Sequence, residues 1–234
     1  MSTSKKSKWL PLESNPQVMS NYVHKLGVSQ AWAYTDVWGK CLDNELLSMI
    51  PQPVKAVVFL FPITENYERD NKKDLEQIQE KKQTVSPNVV FFRQTIPNAC
   101  GTIGLLHSLA NNTDDISIED GPLRKLLDKT KNLTPDERAK VLEEDEELAE
   151  AHKTYASSGQ TSTPRADEDV NLHFTTFIEK DGSLYELDGR KPFPINHGTC
   201  GNLLQDSAEI IKKFMKRDPD NHQFIVIALA PNQQ

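Results

Sequence analysis

The chain has 234 residues, a formal net charge of −7 and only three cysteines. This length is enough for one sizeable core, and no Ser/Gly-rich linker or repeat divides it, so we expect a single domain spanning residues 1–234. Three cysteines without paired spacing weigh against a disulfide framework or a zinc site, and no apolar run approaches the roughly 18 residues of a membrane span.

The first eight residues are polar and basic, with no apolar stretch typical of a signal peptide. Together with the composition, this predicts a soluble intracellular protein of the cytoplasm, or of the nucleus as well. We expect no metal or other cofactor, and we expect a monomer.

The order of apolar and polar residues predicts a mixed α/β (α+β) fold. Helical patterns lie at 15–26, 43–49, 70–82, 98–110, 135–150 and 203–216. Strand patterns lie at 31–37, 55–61, 88–93, 170–178, 184–187 and 223–230. We therefore expect a central, mostly antiparallel sheet flanked by helices on both sides.

Four apolar residues, Trp9 to Leu12, lie close to the start of the chain. Such a segment more often docks on its own core than on a partner, and we favour that interpretation while keeping the partner surface open.

Cys100 stands where the apolar run 89–92 gives way to a helical pattern. Backbone N–H groups in a first helical turn lack intrahelical partners and carry partial positive charge, so a cysteine there loses its proton more easily. Asn98 is a favourable N-cap, which would make the next two residues, 99 and 100, the first of the helix. We interpret Cys100 as a candidate nucleophile.

Other features around the cysteines have simpler interpretations. Gly101 and Gly104 remove side chains beside the Cys100 sulfur, which would let a substrate backbone come close. Cys41 and Cys200 are interpreted as small apolar packing residues, the usual role of a lone cysteine.

Residues 114–150 hold 13 acidic and 6 basic residues, a difference of −7 that equals the net charge of the whole chain. An acidic surface suits a partner with basic residues and weighs against nucleic acid. A solvated helix face is an equally good interpretation of this segment.

Residues 152–169 show no periodicity, and structureless loops of this length are often lids or binding loops. The segment leads directly into the strand pattern that contains His173. We therefore expect it to pass close to the active site.

His173 is the best candidate for the base that a nucleophilic cysteine needs. It lies in the half-buried strand pattern 170–178, which Asp181 and Gly182 follow as a two-residue hairpin signal. The returning strand, 184–187, ends just before Asp188. Folding this hairpin brings Asp188 near the imidazole, where it can hold the base in place.

The other five histidines are weaker candidates. We interpret His24 and His107 as packing or surface residues, and His152 and His222 as surface residues. His197 follows the hairpin closely and is kept as a possible support behind the catalytic groups.

Several stretches resemble the ubiquitin C-terminal hydrolases, a family of papain-like cysteine proteases. They are WLPLESNP at 9–16, QTIPNACGTIGL at 94–105, LHF around His173 and LYELDGRKPFPINHG at 184–198. The resemblance extends from residue 9 to residue 229, and these motifs are long and specific.

The resemblance implies a role for each of four residues. Cys100 is the nucleophile, His173 the general base and acid, Asp188 the orienting carboxylate, and Gln94 the side-chain donor of the oxyanion hole. Without the resemblance, Gln94 would be interpreted as an ordinary polar residue of an edge strand. The resemblance also implies a knotted backbone and makes 152–169 the crossover loop that arches over the catalytic groove.

The implied activity is thiol-dependent hydrolysis at the C-terminal glycine of ubiquitin or a ubiquitin-like modifier. An arch of 18 residues leaves an opening of about 10 Å, whereas a folded domain of about 75 residues approaches ~30 Å in diameter. Small or unfolded adducts are therefore the expected leaving groups. Two alternatives remain: a ubiquitin-binding adaptor without catalysis, and a papain-like hydrolase of another peptide or thioester.

Overall fold

The structure, a computed structural model, describes residues 8–38, 42–160 and 171–233. The eight helices in these ranges are α1 (Pro16–Lys25), α2 (Asn44–Leu47), α3 (Glu65–Lys81), α4 (Cys100–Ala110), α5 (Pro122–Thr130), α6 (Pro135–Glu143), α7 (Glu146–Ala156) and α8 (Leu203–Arg217). The six strands are β1 (Trp32–Asp36), β2 (Ala56–Pro62), β3 (Leu172–Lys180), β4 (Ser183–Leu187), β5 (Ile195–Thr199) and β6 (Ile225–Pro231).

The strands form one six-stranded sheet in the order β1-β6-β2-β3-β4-β5, and every neighbouring pair is antiparallel. Strand β2 is buried along its whole length because both faces of the sheet are covered. Its side chains alternate between two hydrophobic clusters: Val58 and Leu60 enter one, and Phe59 and Phe61 enter the other.

Helices lie on both faces of the sheet. The larger cluster takes buried residues from α1, α4, α5, α6 and α7, among them Met19, Leu105 and Leu148. The smaller cluster takes buried residues from α2, α3 and α8, among them Leu47, Tyr67 and Ile211. The predicted α+β class, with a central antiparallel sheet flanked by helices, is confirmed.

The segment predicted as a strand at 88–93 is not a strand. Phe91 and Phe92 are buried as predicted, but the backbone of the segment bonds to side chains. Val90 N–H donates to Asn111 Oδ1 at 2.7 Å, and Phe92 N–H donates to His107 Nε2 at 3.0 Å. These bonds take the place of a strand ladder, and they confirm His107 as a packing residue.

The predicted helix at 135–150 is two helices. Asp145 interrupts it with an extended backbone, and its side chain caps α7 by accepting from Leu148 N–H at 2.9 Å. Helix α6 opens with a capping box between Thr134 and Glu137. Part of the acidity of this segment therefore stabilises helix N-termini.

Three further differences concern short elements. The sequence patterns missed α5 and β5, and residues 152–156, predicted to be irregular, form the last turns of α7.

Residues 161–170 of the predicted loop, and Cys41, lie outside the described residues. In the ranges that the structure describes, no helix is both long and apolar enough to cross a membrane.

The N-terminal segment docks on the core, as predicted. Trp9 and Leu12 are buried in the larger cluster, and Trp9 N–H donates to Pro97 O at 3.1 Å. Leu12 fills the space beside Gly101, where a Cβ would lie 2.7 Å from the Leu12 Cβ.

His152 is buried, and its prediction as a surface residue is wrong. Its Nε2 donates to Leu10 O at 2.7 Å, since a carbonyl can only accept, and its Nδ1 therefore accepts from Thr102 Oγ1 at 2.8 Å. Its ring lies 4.3 Å from the Trp9 ring. Burial lowers the pKa of His152 to about 4, so the imidazole is neutral at pH 7. His152 thus ties the N-terminal segment to α4.

Candidate active site

Cys100 is the first residue of α4, with Ala99 at the N-cap position. The expected cap, Asn98, instead adopts a left-handed conformation (φ 63°), and its side-chain amide donates to Trp9 O at 3.1 Å. The thiol nevertheless lies in the first turn of α4. Ala99 supplies no capping side chain, so the N-terminal N–H groups are not occupied by a cap.

The glycines after Cys100 serve packing within the protein. A Cβ at Gly104 would lie 3.2 Å from Thr176 Oγ1, and the space beside Gly101 is taken by Leu12. Both positions are buried. The expectation that they open the sulfur to a substrate backbone is wrong; they let α4 approach β3 and the N-terminal segment.

His173 lies in β3, opposite Phe61 of β2, and is buried. The predicted hairpin is present: Asp181 and Gly182 both have positive φ, at 51° and 77°, as a type I′ turn requires. It brings Asp188 to His173, and His173 Nε2 bonds to Asp188 Oδ1 at 2.7 Å.

The Cys100 thiol and the His173 side chain are close enough for each to shift the pKa of the other. Because Asp188 occupies Nε2, Nδ1 is the ring nitrogen left to face the sulfur. The imidazole thus lies between a carboxylate and a thiol, which is the arrangement of a nucleophile, a base and an orienting group.

The electrostatics of these three groups favour an ion pair. Burial alone would raise the pKa of the Cys100 thiol, but the hydrogen bond and charge of His173 outweigh it, with help from the backbone N–H groups of Phe174 and Gly101, and the pKa is lowered. Burial would likewise lower the pKa of His173, but Asp188 and Cys100 raise it to about 9. Thiolate and imidazolium therefore stabilise each other.

Asp188 is held as a carboxylate. Burial acts to raise its pKa, whereas the charge and hydrogen bond of His173, the charge of Lys191 and the N–H of Arg190 hold that pKa well below its usual range. Arg190 N–H donates to Asp188 Oδ1 at 2.9 Å. The carboxylate thus stays charged at any pH near neutrality.

Gln94 lies beside the first turns of α4. Its backbone N–H donates to Gly189 O at 2.8 Å, and its side-chain Nε2 donates to Ile96 O at 3.3 Å. Its Oε1 is buried without a hydrogen-bond partner in the described part of the chain. One N–H of the amide is therefore left to bind another acceptor.

Gly189 is a positioning residue that the sequence did not single out. A Cβ there would lie 2.9 Å from Gln94 Cβ and 2.9 Å from Ile103 Cγ2. The absent side chain lets the turn after Asp188 pack directly against the Gln94 segment and α4. The sequence does hold a signal for this role: Gly189 follows Asp188 at the end of a strand pattern, and a glycine in such a position indicates that another part of the backbone packs closely against it.

The remaining histidines lie away from this group. His197 bonds to Glu186 and reaches none of Cys100, His173 or Gln94 by a hydrogen bond. His24 Nε2 bonds to Trp32 O at 2.8 Å, and His222 is exposed, as predicted. Among the described residues, no group of three or more His, Cys, Asp or Glu side chains could hold a metal ion.

Comparison with known proteins shows which family this chain resembles. The family model described as ubiquitin carboxyl-terminal hydrolase, family 1, matches residues 9–216. A ubiquitin carboxyl-terminal hydrolase of Drosophila melanogaster is 44% identical over 228 residues, covering 97% of this chain and 99% of that protein. Isozyme L1 of Rattus norvegicus is 44% identical over 223 residues, covering 94% of this chain and 97% of that protein.

The fold is also similar to a solved structure. The catalytic domain of Trichinella spiralis UCH37, crystallised with ubiquitin vinyl methyl ester, matches with a TM-score of 0.74 and covers 97% of each chain. At 22% sequence identity, this match supports the fold.

Proposed function

The chain belongs to the ubiquitin carboxyl-terminal hydrolase family, a family of cysteine peptidases, and we propose that it cleaves small or unfolded adducts from the C-terminal glycine of ubiquitin or a ubiquitin-like modifier. The observation that carries this proposal is the buried imidazole of His173, which is hydrogen-bonded to Asp188 and interacts electrostatically with the Cys100 thiol.

The proposed reaction begins with attack of the Cys100 thiolate on the carbonyl carbon of the terminal glycine. The carbonyl oxygen becomes an oxyanion, which the free N–H of the Gln94 amide and the backbone N–H of Cys100 stabilise. His173, as imidazolium, gives its proton to the leaving nitrogen, and the C–N bond breaks. The glycine is then held as a thioester on the Cys100 sulfur.

Water completes the cycle. His173, now neutral, takes a proton from a water molecule, whose oxygen attacks the thioester carbonyl. The C–S bond breaks, the thiolate returns, and the modifier leaves with a free carboxylate. Asp188 holds the imidazole in the required orientation throughout and stabilises its charged form.

A surface groove beside the N-terminal segment supports binding of a basic tail. Trp9 and Leu10 form its apolar part. The charged side chains that line it are three glutamates of α7 and two lysines, an excess of one acidic group: Glu146, Glu147, Glu150, Lys8 and Lys153. The family's substrate has arginines in its C-terminal tail, so opposite charges would meet here. We place the substrate tail along this side of the site.

The leaving-group preference rests on the segment between α7 and β3, the family's crossover loop. It ends two residues before His173, and Ile63 N–H fixes that end by donating to Asn171 O at 2.6 Å. Doubling the segment with Gly/Ser residues is expected to raise cleavage of ubiquitin joined to a stably folded protein. An unchanged rate would mean that the opening does not limit these substrates.

The experiment that tests the activity is reaction with ubiquitin carrying a C-terminal vinyl methyl ester, followed by peptide mapping of the adduct. Covalent labelling at Cys100 is expected in the wild-type protein and in Cys200→Ala, the matched control, and not in Cys100→Ala. Tight binding without labelling would favour the adaptor. Neither binding nor labelling would favour a hydrolase of another peptide or thioester.

The chain as a whole, residues 1–234, is proposed to be one catalytic domain that acts in the cytoplasm or nucleus. A reducing compartment of this kind would keep the Cys100 thiolate available. Turnover by the full chain without an added subunit is the expected result.

A further inference from the structure

Two buried ionisable side chains, Lys191 and Glu186, lie close to Asp188, and a third, the partly exposed His197, bonds to Glu186. Lys191 and Glu186 form an ion pair in which the side chains are only 4% and 2% exposed. The second carboxylate oxygen of Glu186 bonds to His197 Nε2 at 2.9 Å. We call Glu186, Lys191 and His197 the charge cluster. The proposed reaction assigns no step to any of them.

The charge cluster joins different parts of the site's framework. Glu186 lies on β4, opposite Phe177 of β3 and Ile195 of β5, so its backbone is fixed by strands on both sides. His197 comes from β5, and Lys191 comes from the turn that follows Asp188. The ion pair therefore connects that turn to β4 of the sheet.

The same turn sets the direction of the Asp188 carboxylate. Lys191 N–H donates to Asp188 O at 2.9 Å, and Arg190 N–H donates to Asp188 Oδ1 at 2.9 Å. The Oδ1 atom is also the one that bonds to His173. A movement of the turn would thus change the angle at which the carboxylate meets the imidazole.

The Lys191 side chain and the His173 ring contact two aromatic residues that pack against each other. Lys191 Nζ lies 5.8 Å from the centre of the Phe214 ring, which lies 5.3 Å from the Phe61 ring. Phe61 in turn lies 5.8 Å from the His173 ring, with the two planes at 88°. A change of packing at Lys191 would therefore move the Phe214 and Phe61 rings, and with them the His173 ring.

Stability alone does not account for charges at this place. A buried ion pair pays a large desolvation cost, and apolar residues of similar size often stabilise a protein as well or better. Burial acts to raise the pKa of Glu186, but Lys191 and His197 lower it to about 2, so Glu186 is ionised. The charge of Lys191 also contributes to the lowered pKa of Asp188.

We propose that Lys191 and Glu186 are positioning residues for catalysis: acting through Asp188, the balance of their opposite charges sets the pH at which the His173 imidazolium loses its proton. This inference rests on the proposed roles of Cys100, His173 and Asp188.

The ionisable groups around the Asp188–His173 pair come from several elements. They are Tyr67 and Glu68 of α3, Cys100 and His107 of α4, Glu186 of β4, Arg190 and Lys191 of the turn, and His197 of β5. Neutralising Glu186 or Lys191 leaves the hydrogen bonds of Asp188 to His173 and to Arg190 N–H in place.

The test measures the rate at which iodoacetamide alkylates Cys100, by mass spectrometry of its peptide, between pH 5 and 11. In the wild-type protein, the upper inflection reports loss of the imidazolium proton and is expected near pH 9. Lys191→Met removes a positive charge that opposes the imidazolium, so the inflection is expected to rise by about half to one pH unit. Glu186→Gln removes a negative charge and is expected to lower it by a similar amount.

Two controls separate this effect from a loss of structure. The double variant, Lys191→Met with Glu186→Gln, changes no net charge and is expected to return the inflection close to the wild-type value. Lys55→Met removes the lysine of a pair with Asp115 away from the site and should leave the inflection unchanged. If Lys191→Met does not fold, Lys191→Gln, which can still bond to Glu186, replaces it with the same expected direction.

Opposite shifts in the two single variants support the proposal. Shifts in the same direction, or lower melting temperatures with an unmoved inflection, would overturn it, because a merely structural pair predicts those results. Iodoacetamide contains no part of ubiquitin, so a failure here is distinguishable from a failure of ubiquitin labelling.

Discussion

The two described free cysteines, Cys100 and Cys200, are both partly exposed residues with opposite thiol chemistry. Cys100 begins α4, and Cys200 lies three residues before α8. The pKa of the Cys100 thiol is lowered, whereas burial and the nearby carboxylate of Asp206 raise the pKa of Cys200 to about 12. The neighbouring charges, and not exposure, distinguish the two thiols.

The reason lies in what each sulfur meets at the start of its helix. Cys100 meets the His173 imidazole and the backbone N–H groups of Phe174 and Gly101, all of which favour a thiolate. At the other helix, Asp206 Oδ2 accepts from Gly201 N–H at 2.7 Å and from Asn202 N–H at 2.9 Å. A carboxylate thus occupies the place that an anionic sulfur could have used.

The largest expected difference between the two thiols is their rate of alkylation. With a pKa of about 12, Cys200 holds only about one thiolate in 10⁵ molecules at pH 7, whereas the lowered pKa of Cys100 gives it a much larger thiolate fraction. We expect iodoacetamide to modify Cys100 at least about 10³-fold faster than Cys200, as measured by peptide mass spectrometry. Equal alkylation rates of Cys100 and Cys200 in the folded protein would contradict the assigned environments. The denatured protein is the control, and there the two cysteines are expected to react at equal rates.

A second prediction separates ionisation of the thiol from stabilisation of the oxyanion. Gln94→Ala is expected to lower kcat by about 10² to 10³-fold, because it removes one preorganised donor. Alkylation of Cys100 should be unchanged, since Gln94 contributes nothing to the lowered pKa of the thiol. Gln205→Ala, at an exposed position of α8, is the matched control and should keep wild-type kcat. A Gln94→Ala variant that loses affinity and keeps kcat would argue for a binding role.

The smallest expected effect concerns Cys200. Asp206→Asn removes the charge that raises the pKa of this thiol, while the amide oxygen can still accept from the backbone. Alkylation of Cys200 at pH 10 is expected to rise about three- to tenfold. Asp220→Asn, at an exposed position after α8, should leave that rate unchanged. No change in Asp206→Asn would mean that burial alone raises the pKa of Cys200.

The parts of the site that the sequence predicted are those that depend on short-range geometry. His173 and Asp188 were found because one hairpin, with an Asp-Gly turn, brings them together. Cys100 was found because a thiol at the junction of a loop and a helix has a known electrostatic consequence. Gln94 came only from the family motif, since nothing in its local pattern distinguishes it from a surface glutamine.

The parts that the sequence did not predict depend on contacts between distant segments. Residues 88–93 have the apolar pattern of a strand, yet their backbone bonds to His107 and Asn111, 15 and 21 residues later in the chain. His152 looked like a surface residue because its partners, Leu10 and Thr102, lie 142 and 50 residues away. Helix or strand periodicity holds no information about such partners.

The charge cluster could have been predicted in part from the sequence. Glu186 lies in a strand between apolar neighbours, Tyr185 and Leu187, and both faces of the sheet were expected to be covered by helices. A carboxylate in such a position must have a buried cationic partner. Lys191, five residues later, was the available candidate.

The buried contact between the Trp9 and His152 rings makes the N-terminal segment visible to spectroscopy. The Trp9 indole is only 8% exposed, and its release would move it from an apolar cluster into water. Its emission would then shift to longer wavelength, so a protein with phenylalanine in place of the other two tryptophans, Trp32 and Trp38, would report by fluorescence when this end of the chain leaves the helix that begins with Cys100.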